Sequence, residues 1–342
     1  MSRTSERPSG VSIKDVARHA GVSIGTVSNA LNRPDRVSPR TRNRVLAAIE
    51  ALGYVRSDSA RQLRSGASRI IAMLALDMTN PFFVDVARGA EQAAEAEDLG
   101  VMLCNSDQDR RTENLYLSLF AEQRVRGVLI TPTGEGGLEV LRRQGIPHVL
   151  VDRVTADDRA SSVSVDDVAG GALAVRHLLE SGHARIAYVS GPLDLTQCRD
   201  RRSGALEAIS DAGLPADALT TLETATLDVT AGRDAGSRLL GLPERPTAVF
   251  CANDLLALGV LQALFAAGVR VPDDIAIVGY DDIEFAAAAA VPLTSVRQPA
   301  RLIGRTAAEL LIRETSPDPA RPQRIVYQPE LVVRRSTLRQ RS

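Results

Sequence analysis

The 342-residue sequence predicts a small helical headpiece followed by a two-lobed α/β body. Three observations lead there. Residues 12–31 (SIKDVARHAGVSIGTVSNAL) read as two short helices around a glycine corner, and beyond residue 68 short apolar runs alternate with helical stretches in two successive sets. Charge is also divided unevenly. Residues 1–66 carry 12 Lys+Arg against 5 Asp+Glu, or +7, which leaves 29 against 37, or −8, for the remainder. A near-neutral chain therefore has a basic head on an acidic body, and only the head suits a polyanion such as nucleic acid.

In the head, Ile13, Val16, Ala17 and Ala20 recur at i, i+3, i+4 and i+7. Ser12 with Asp15 three residues on forms an S-x-x-D capping pattern, and Gly21 supplies the left-handed residue that stops the helix. Ser23 caps a second helix whose Val27, Ala30 and Leu31 turn back on the first. This is the helix-turn-helix pattern, in which the second helix presents its first residues to a DNA major groove. Ser38-Pro39 opens a third helix with Val45, Ile49 and Leu52 inward, and Gly53 closes it. Residues 57–66 (SDSARQLRSG) are polar and too few to hold a helix alone in water, so they read as a linker.

In the body, residues 69–77, 101–105, 127–131 and 147–152 read as buried strands, with helices near 84–98, 112–123 and 135–144. The rhythm repeats with strands at 185–190, 248–252 and 275–280 among helices at 167–181, 199–212, 231–240 and 254–267. Near-continuous apolar strands alternating with helices indicate parallel sheets covered on both faces. A chain of this length exceeds one ordinary core, so two lobes are expected.

Several function classes find no support. No apolar run reaches a membrane span, and the polar start MSRTSERPSG has no secretory h-region, so a cytoplasmic protein is expected. Cys104, Cys198 and Cys251 are far apart and odd in number, and read as reduced thiols, not as a disulfide frame or metal site. His19, His148, His177 and His183 are scattered, and no catalytic or cofactor-binding motif is present. The reading is a regulator and not an enzyme, with no cofactor. Polar residues do gather at predicted strand ends, where α/β lobes bind ligands. They are the segment 77–83, Asp152-Arg153, Arg199, Asn253-Asp254 and Asp281.

The stretch VSIKDVARHAGVSIGTVSNALNRPDRVSPRTRNRVLAAIEALGYVRSDSARQLRSG resembles the headpiece and hinge of the LacI/GalR family of bacterial transcriptional regulators. NPFF (80–83), SVDD (164–167), GHARIAYVSGP (182–192), FCANDLLALG (250–259), VPDDIAIVGYDD (271–282) and LTSVRQP (293–299) extend the likeness over most of the chain. It implies a headpiece at 11–56, a hinge at 57–67 and a periplasmic-binding-protein-like body at 68–337. On that reading lobe one holds about 68–163 and 292–321, and lobe two about 164–291 and 322–337, including a closing strand RIVYQPELVV.

The resemblance also implies roles. Ile24, Gly25 and Asn29 occupy base-reading positions, and Ser23, Thr26, Ser28 and Asn32 phosphate-contacting ones. Leu63 becomes the wedge that a paired hinge helix drives into the minor groove. Val55-Arg56 stands where the family often has a proline. Arg199, Asn253, Asp281 and Asp152 match positions that grip effector hydroxyls, with Phe82 and Phe83 as candidate aromatic flanks or core residues. The implied protein is a homodimeric repressor that binds a pseudo-palindromic operator and senses a sugar or polyol. The tail RRSTLRQRS carries no leucine heptad for a tetramer. The competing reading is a global regulator controlled by a protein effector docked on the body.

Overall fold

The structure, a computed structural model, describes residues 11–54, 68–154 and 159–338. Headpiece and body are separate compact units. The hinge predicted at 57–67, with Leu63, lies outside the described residues.

The headpiece holds helices α1 (Ile13–Ala20), α2 (Ile24–Asn32) and α3 (Pro39–Leu52). Their ends are set locally. The Asp15 carboxylate accepts from both the backbone N–H and the hydroxyl of Ser12, at 3.0 and 2.6 Å. Those bonds hold the Asp15 carboxyl below the ordinary carboxylate range. Gly21 sits at φ +60°, and the following N–H of Val22 bonds back to Ala17. Ser23 Oγ accepts from Thr26 N, and Ser38 Oγ from Thr41 N. Val16, Ala17, Ala20, Val27, Ala30, Val45 and Ala48 make one small core, bordered by Ile13, Leu31, Ile49 and Tyr54.

The body is built from two six-stranded sheets. The first contains β1 (Ile70–Ala75), β2 (Gly100–Asn105), β3 (Gly127–Ile130), β4 (His148–Val151), β5 (Ser161–Val165) and β11 (Arg324–Tyr327), in the order β2-β1-β3-β4-β5-β11, all parallel. The second contains β6 (Ile186–Ser190), β7 (Leu219–Glu223), β8 (Ala248–Cys251), β9 (Ala276–Asp281), β10 (Thr294–Arg297) and β12 (Glu330–Val332), in the order β7-β6-β8-β9-β10-β12, with only β12 antiparallel. Both are doubly wound, and both reverse strand order beside their first strand, which opens a crevice at the carboxyl ends.

Three helix pairs cover the sheets, and each crosses at a pair of glycines. They are α4 (Pro81–Glu95) with α12 (Ala300–Glu314), α7 (Asp167–Glu180) with α8 (Thr196–Asp211), and α9 (Val229–Leu240) with α10 (Asp254–Ala266). A methyl group on Gly89, Gly304, Gly171, Gly204, Gly232 or Gly259 would collide with backbone of the partner helix. Helices α5 (Arg110–Glu122) and α6 (Glu135–Gln144) cover the other face of the first sheet, and α11 (Glu284–Ala288) follows β9.

The lobe assignment needs two corrections. Residues 294–297 are expected in lobe one, but β10 pairs with β9 of the second sheet, and the chain returns to lobe one only with α12. RIVYQPELVV is not one closing strand in lobe two. Residues 324–327 extend the first sheet beside β5, and 330–332 border the second. Pro329, which has no N–H for a ladder, falls at the break between them. The chain thus crosses between sheets after β5, β10 and β11.

Candidate functional site

The carboxyl ends of both sheets deliver polar side chains to one buried cluster. Arg201, on the inward face of α8, has a side chain only 4% exposed. Its Nε donates to Asp167 Oδ1 at 2.7 Å and its Nη1 to the Ala252 carbonyl at 2.6 Å. Its guanidinium carbon lies 3.6 Å from the centre of the Tyr280 ring, a cation–π stack. Asp281 ends β9, with Oδ2 accepting from Asn80 Nδ2 and Oδ1 from Gln298 Nε2, each at 2.8 Å. Asn80 is the N-cap of α4 in lobe one, so its bond to Asp281 ties the two lobes directly. Asp152 follows β4 and is buried, at φ +56°.

The electrostatics are lopsided. Asp152, Asp167 and Asp281 share one guanidinium, and burial raises all three carboxyls while Arg201 opposes the rise. For Asp152 burial is the main cause of the rise, and the like charges of Asp167 and Asp281 add to it. Asp152 Oδ1 has no hydrogen-bond partner among the described residues. The cluster therefore offers acceptors to an incoming donor-rich molecule, with Arg201, Asn80 and Gln298 as donors beside them.

A buried acid whose folded pKa exceeds its unfolded one binds more protons when folded. Stability then falls as pH climbs from the unfolded carboxyl's value to the folded one. Asp152→Asn removes that liability. It is expected to stabilise the body by about 1–2 kcal/mol at alkaline pH, with the gain shrinking as the pH is lowered toward the ordinary carboxylate range. Calorimetric melting at several pH values checks this, and a pH-independent difference would contradict it.

Of the residues singled out in the sequence, Asp152 and Asp281 fall in the cluster. Asn253 is buried beside it, but its side chain caps α10, accepting from Leu256 N and donating to the Leu227 carbonyl, both at 2.9 Å. Phe82 and Phe83 are buried and packed edge to face with centroids 5.1 Å apart, and Phe82 also lines a crevice of about 370 Å³ with Asp281 and Gln298. Arg199 requires a correction. Its side chain is 58% exposed and turned to Asp200 and Thr196, outside the cluster, and the arginine inside is Arg201.

Sequence reasoning did not single out Asp167, Tyr280 or Gln298, and it reached Asn80 only as part of the segment 77–83. The signal for the arginine was present. Cys198, Ala205, Ala208 and Ile209 are the buried apolar stripe of α8, and Arg201 follows Cys198 by three residues, on the same face.

On the headpiece, α2 exposes Ile24, 45% accessible, together with Gly25 and Asn29 along one face, opposite the buried Val27 and Ala30. Ser23 and Thr26 bond each other through their hydroxyls at 2.9 Å. Asn32 Nδ2 donates to the Ser28 carbonyl at 2.8 Å. Lys14, Arg18, Arg33, Arg36, Arg40 and Arg42 are also exposed on the headpiece.

Residues 12–57 match the family profile described as bacterial regulatory proteins, lacI family, and residues 175–337 match a periplasmic binding protein-like domain. Among curated proteins the chain is 38% identical to the ribose operon repressor of Escherichia coli, covering 95% of this chain and 99% of that one. It is 34% identical to the HTH-type transcriptional repressor PurR of Photobacterium profundum, covering 95% and 98%. Among solved structures, a LacI family transcriptional regulator from Enterococcus faecium with bound ribose aligns at TM-score 0.72 and 30% identity, covering 78% of this chain and 98% of that one. The lac repressor dimer bound to operator and an anti-inducer aligns at TM-score 0.84 and 27% identity, covering 97% and 100%.

Proposed function

This chain belongs to the LacI family of bacterial regulatory proteins and is a DNA-binding transcriptional regulator, and on that footing we propose that its effector is a small sugar of the ribose class. The observation that carries the reading is the Asp281 carboxylate, held between Asn80 and Gln298 beside Arg201, Asp167 and Asp152. A pentose presents several hydroxyls, each able to donate to a carboxylate and accept from a guanidinium or amide. In this reading Asp281 and Asp152 accept from sugar hydroxyls, Arg201 and Asn80 donate to them, and Phe82 offers an apolar flank. Asn253 fixes the start of α10, and Arg199 has no contact with the sugar. The names of the ribose operon repressor and of the ribose-bound Enterococcus regulator support the class.

The protein acts as a repressor in the cytoplasm, without catalysis. It is a homodimer in this proposal, like the lac repressor dimer on its operator. The edge strand β2 exposes Met102 and Leu103, and α5 exposes Leu115 and Leu119, an apolar surface suited to burial against a second copy. The organisation is a headpiece at 11–56, a hinge at 57–67 and a body at 68–337. Each headpiece reads half of a pseudo-palindrome through Ile24, Gly25 and Asn29, with Ser23, Thr26, Ser28 and Asn32 on phosphates and Leu63 in the minor groove. The sugar alters operator affinity only to the extent that it binds one lobe arrangement better than the other.

Titration calorimetry of the full chain tests the effector. D-ribose is expected to bind, with hexoses and purine bases weaker by about tenfold or more, roughly 1.4 kcal/mol. Asp281→Ala is expected to remove the signal. Silence toward a broad panel of sugars, with DNA binding intact, would overturn the sugar reading in favour of a protein effector.

A further inference from the structure

The backbone at Asp281 and Asp282 is unusual, because two successive non-glycine residues have positive φ, +99° and +56°. Such conformations persist only where the surroundings over-determine them. What holds them is largely visible. Asp282, adjacent to the cleft carboxylate, has a side chain only 5% exposed, gripped at Oδ2 by Arg297 Nε at 2.8 Å and at Oδ1 by Arg334 Nη1 at 2.6 Å. Its N–H donates to Ser295 Oγ at 3.1 Å. Ser295 Oγ donates in turn to Asp254 Oδ1, whose other oxygen accepts from Ile283 N at 2.9 Å.

The two arginines are not equivalent. Arg297 is half exposed and shared with Glu330, whereas Arg334 is largely enclosed and is itself anchored. Its Nη1 also donates to the Leu293 carbonyl at 2.9 Å, and its N–H to Thr294 Oγ1 at 2.8 Å. The segment that carries it is sewn into the second sheet. Ser336 Oγ accepts from Thr294 N at 2.8 Å and donates to the Ile277 carbonyl at 2.6 Å. Thr337 Oγ1 meets Thr294 Oγ1 and His177 Nε2, each at 2.8 Å.

We propose that Arg334, in the segment that follows β12, is a positioning residue for effector recognition: by clamping Asp282 it fixes the turn that aims the Asp281 carboxylate at Asn80 and Gln298. The proposal rests on the reading that Asp281 contacts the effector. Arg334 touches no effector itself. Loss of its guanidinium leaves Asp282 with only the half-exposed Arg297, and the 281–282 turn relaxes toward ordinary backbone angles. The acceptor geometry then drifts from the one a sugar needs, although the sheet and its last strand stay in place. A purely structural clip would act differently, because breaking the Ser336–Thr337 stitching should weaken the fold as much as losing Arg334 does.

The test compares Arg334→Met, Arg334→Lys and Thr337→Val in the full chain. Three readouts are taken, namely the Kd for D-ribose, the melting temperature, and hydrogen exchange at the amides of Asp282 and Ile283. Arg334→Met is expected to weaken D-ribose binding by about tenfold or more and to speed exchange at those amides, with Arg334→Lys recovering part of both. Thr337→Val is expected to lower the melting temperature while leaving the Kd within about twofold. The proposal is overturned if Arg334→Met and Thr337→Val change Kd alike, or if Arg334→Met changes only the melting temperature. If the unaltered protein binds no D-ribose, the sugar reading fails by itself, and exchange still decides. Faster exchange at Asp282 and Ile283 in Arg334→Met than in Thr337→Val supports the clamp, and equal exchange overturns it.

Discussion

Arg201→Met is expected to destabilise the body by about 3–5 kcal/mol and to abolish the response to sugar. The guanidinium is bonded to Asp167 at 2.7 Å, and it also opposes the charges of Asp152 and Asp281. Methionine fills much of the same volume against Tyr280 but leaves Asp167 buried without its cation, and the Ala252 carbonyl without the Nη1 donor. Removing one partner of a buried ion pair costs far more than the pair contributes, because the other charge is stranded out of water. Asp167→Asn in the same background is expected to restore part of the loss, since the stranded charge is then gone. Arg199→Met, two residues away on the exposed face, is expected to change stability by less than about 0.5 kcal/mol and to leave sugar binding intact. Urea unfolding and titration calorimetry on the three variants check both statements. Equal effects of Arg201→Met and Arg199→Met would contradict the site.

The second large effect is expected on the DNA side. Asn29 projects from the exposed face of α2, and in the proposed reading its amide pairs with an adenine edge by a donor and an acceptor at once. Asn29→Ala is expected to weaken operator binding by about 1–3 kcal/mol, with the loss confined to operators that keep the contacted base pair. The headpiece fold is not at risk, because Val27 and Ala30 on the other side of the helix supply the core. Ser28→Ala, which in the proposed reading removes a hydroxyl bonded to a phosphate, is expected to weaken specific and non-specific DNA alike and to leave the salt dependence unchanged, because the hydroxyl carries no charge. Binding measured against matched and mismatched duplexes at several salt concentrations separates the two behaviours.

What could be read from the sequence divides along physical lines. The headpiece was legible because its signals are local. Ser12 with Asp15, Ser23, Ser38-Pro39, Gly21 and Gly53 each act within a few residues, and the structure shows those caps. The buried strands of the body were legible as apolar runs, but their sheet was not always so. Residues 294–297 have no feature that chooses between lobes, and their pairing with β9 is decided by packing of the whole second sheet. Residues 324–333 read as one strand because the apolar residues continue, yet Pro329 marks the break that sends the two halves to different sheets.

The cleft shows the same division. Asp152 and Asp281 were found because they follow apolar strands directly. Gln298 was not singled out, and Asn80 only within the segment 77–83, because an amide at a helix cap or strand end looks like ordinary capping chemistry until the other lobe is placed beside it. The choice between Arg199 and Arg201 turns on helical phase, which the buried stripe of Cys198, Ala205 and Ile209 already encodes.

In the proposed function a small sugar in this cleft controls operator binding by the headpieces. The most direct test is fluorescence anisotropy of the full chain on a duplex selected from random sequence, at fixed salt, with and without D-ribose. Saturating D-ribose is expected to shift operator affinity by about tenfold or more, roughly 1.4 kcal/mol of coupling, and Asp281→Ala is expected to bind the same duplex without responding. Operator affinity unchanged by D-ribose in the unaltered protein, or an equal ribose response in Asp281→Ala, would contradict it.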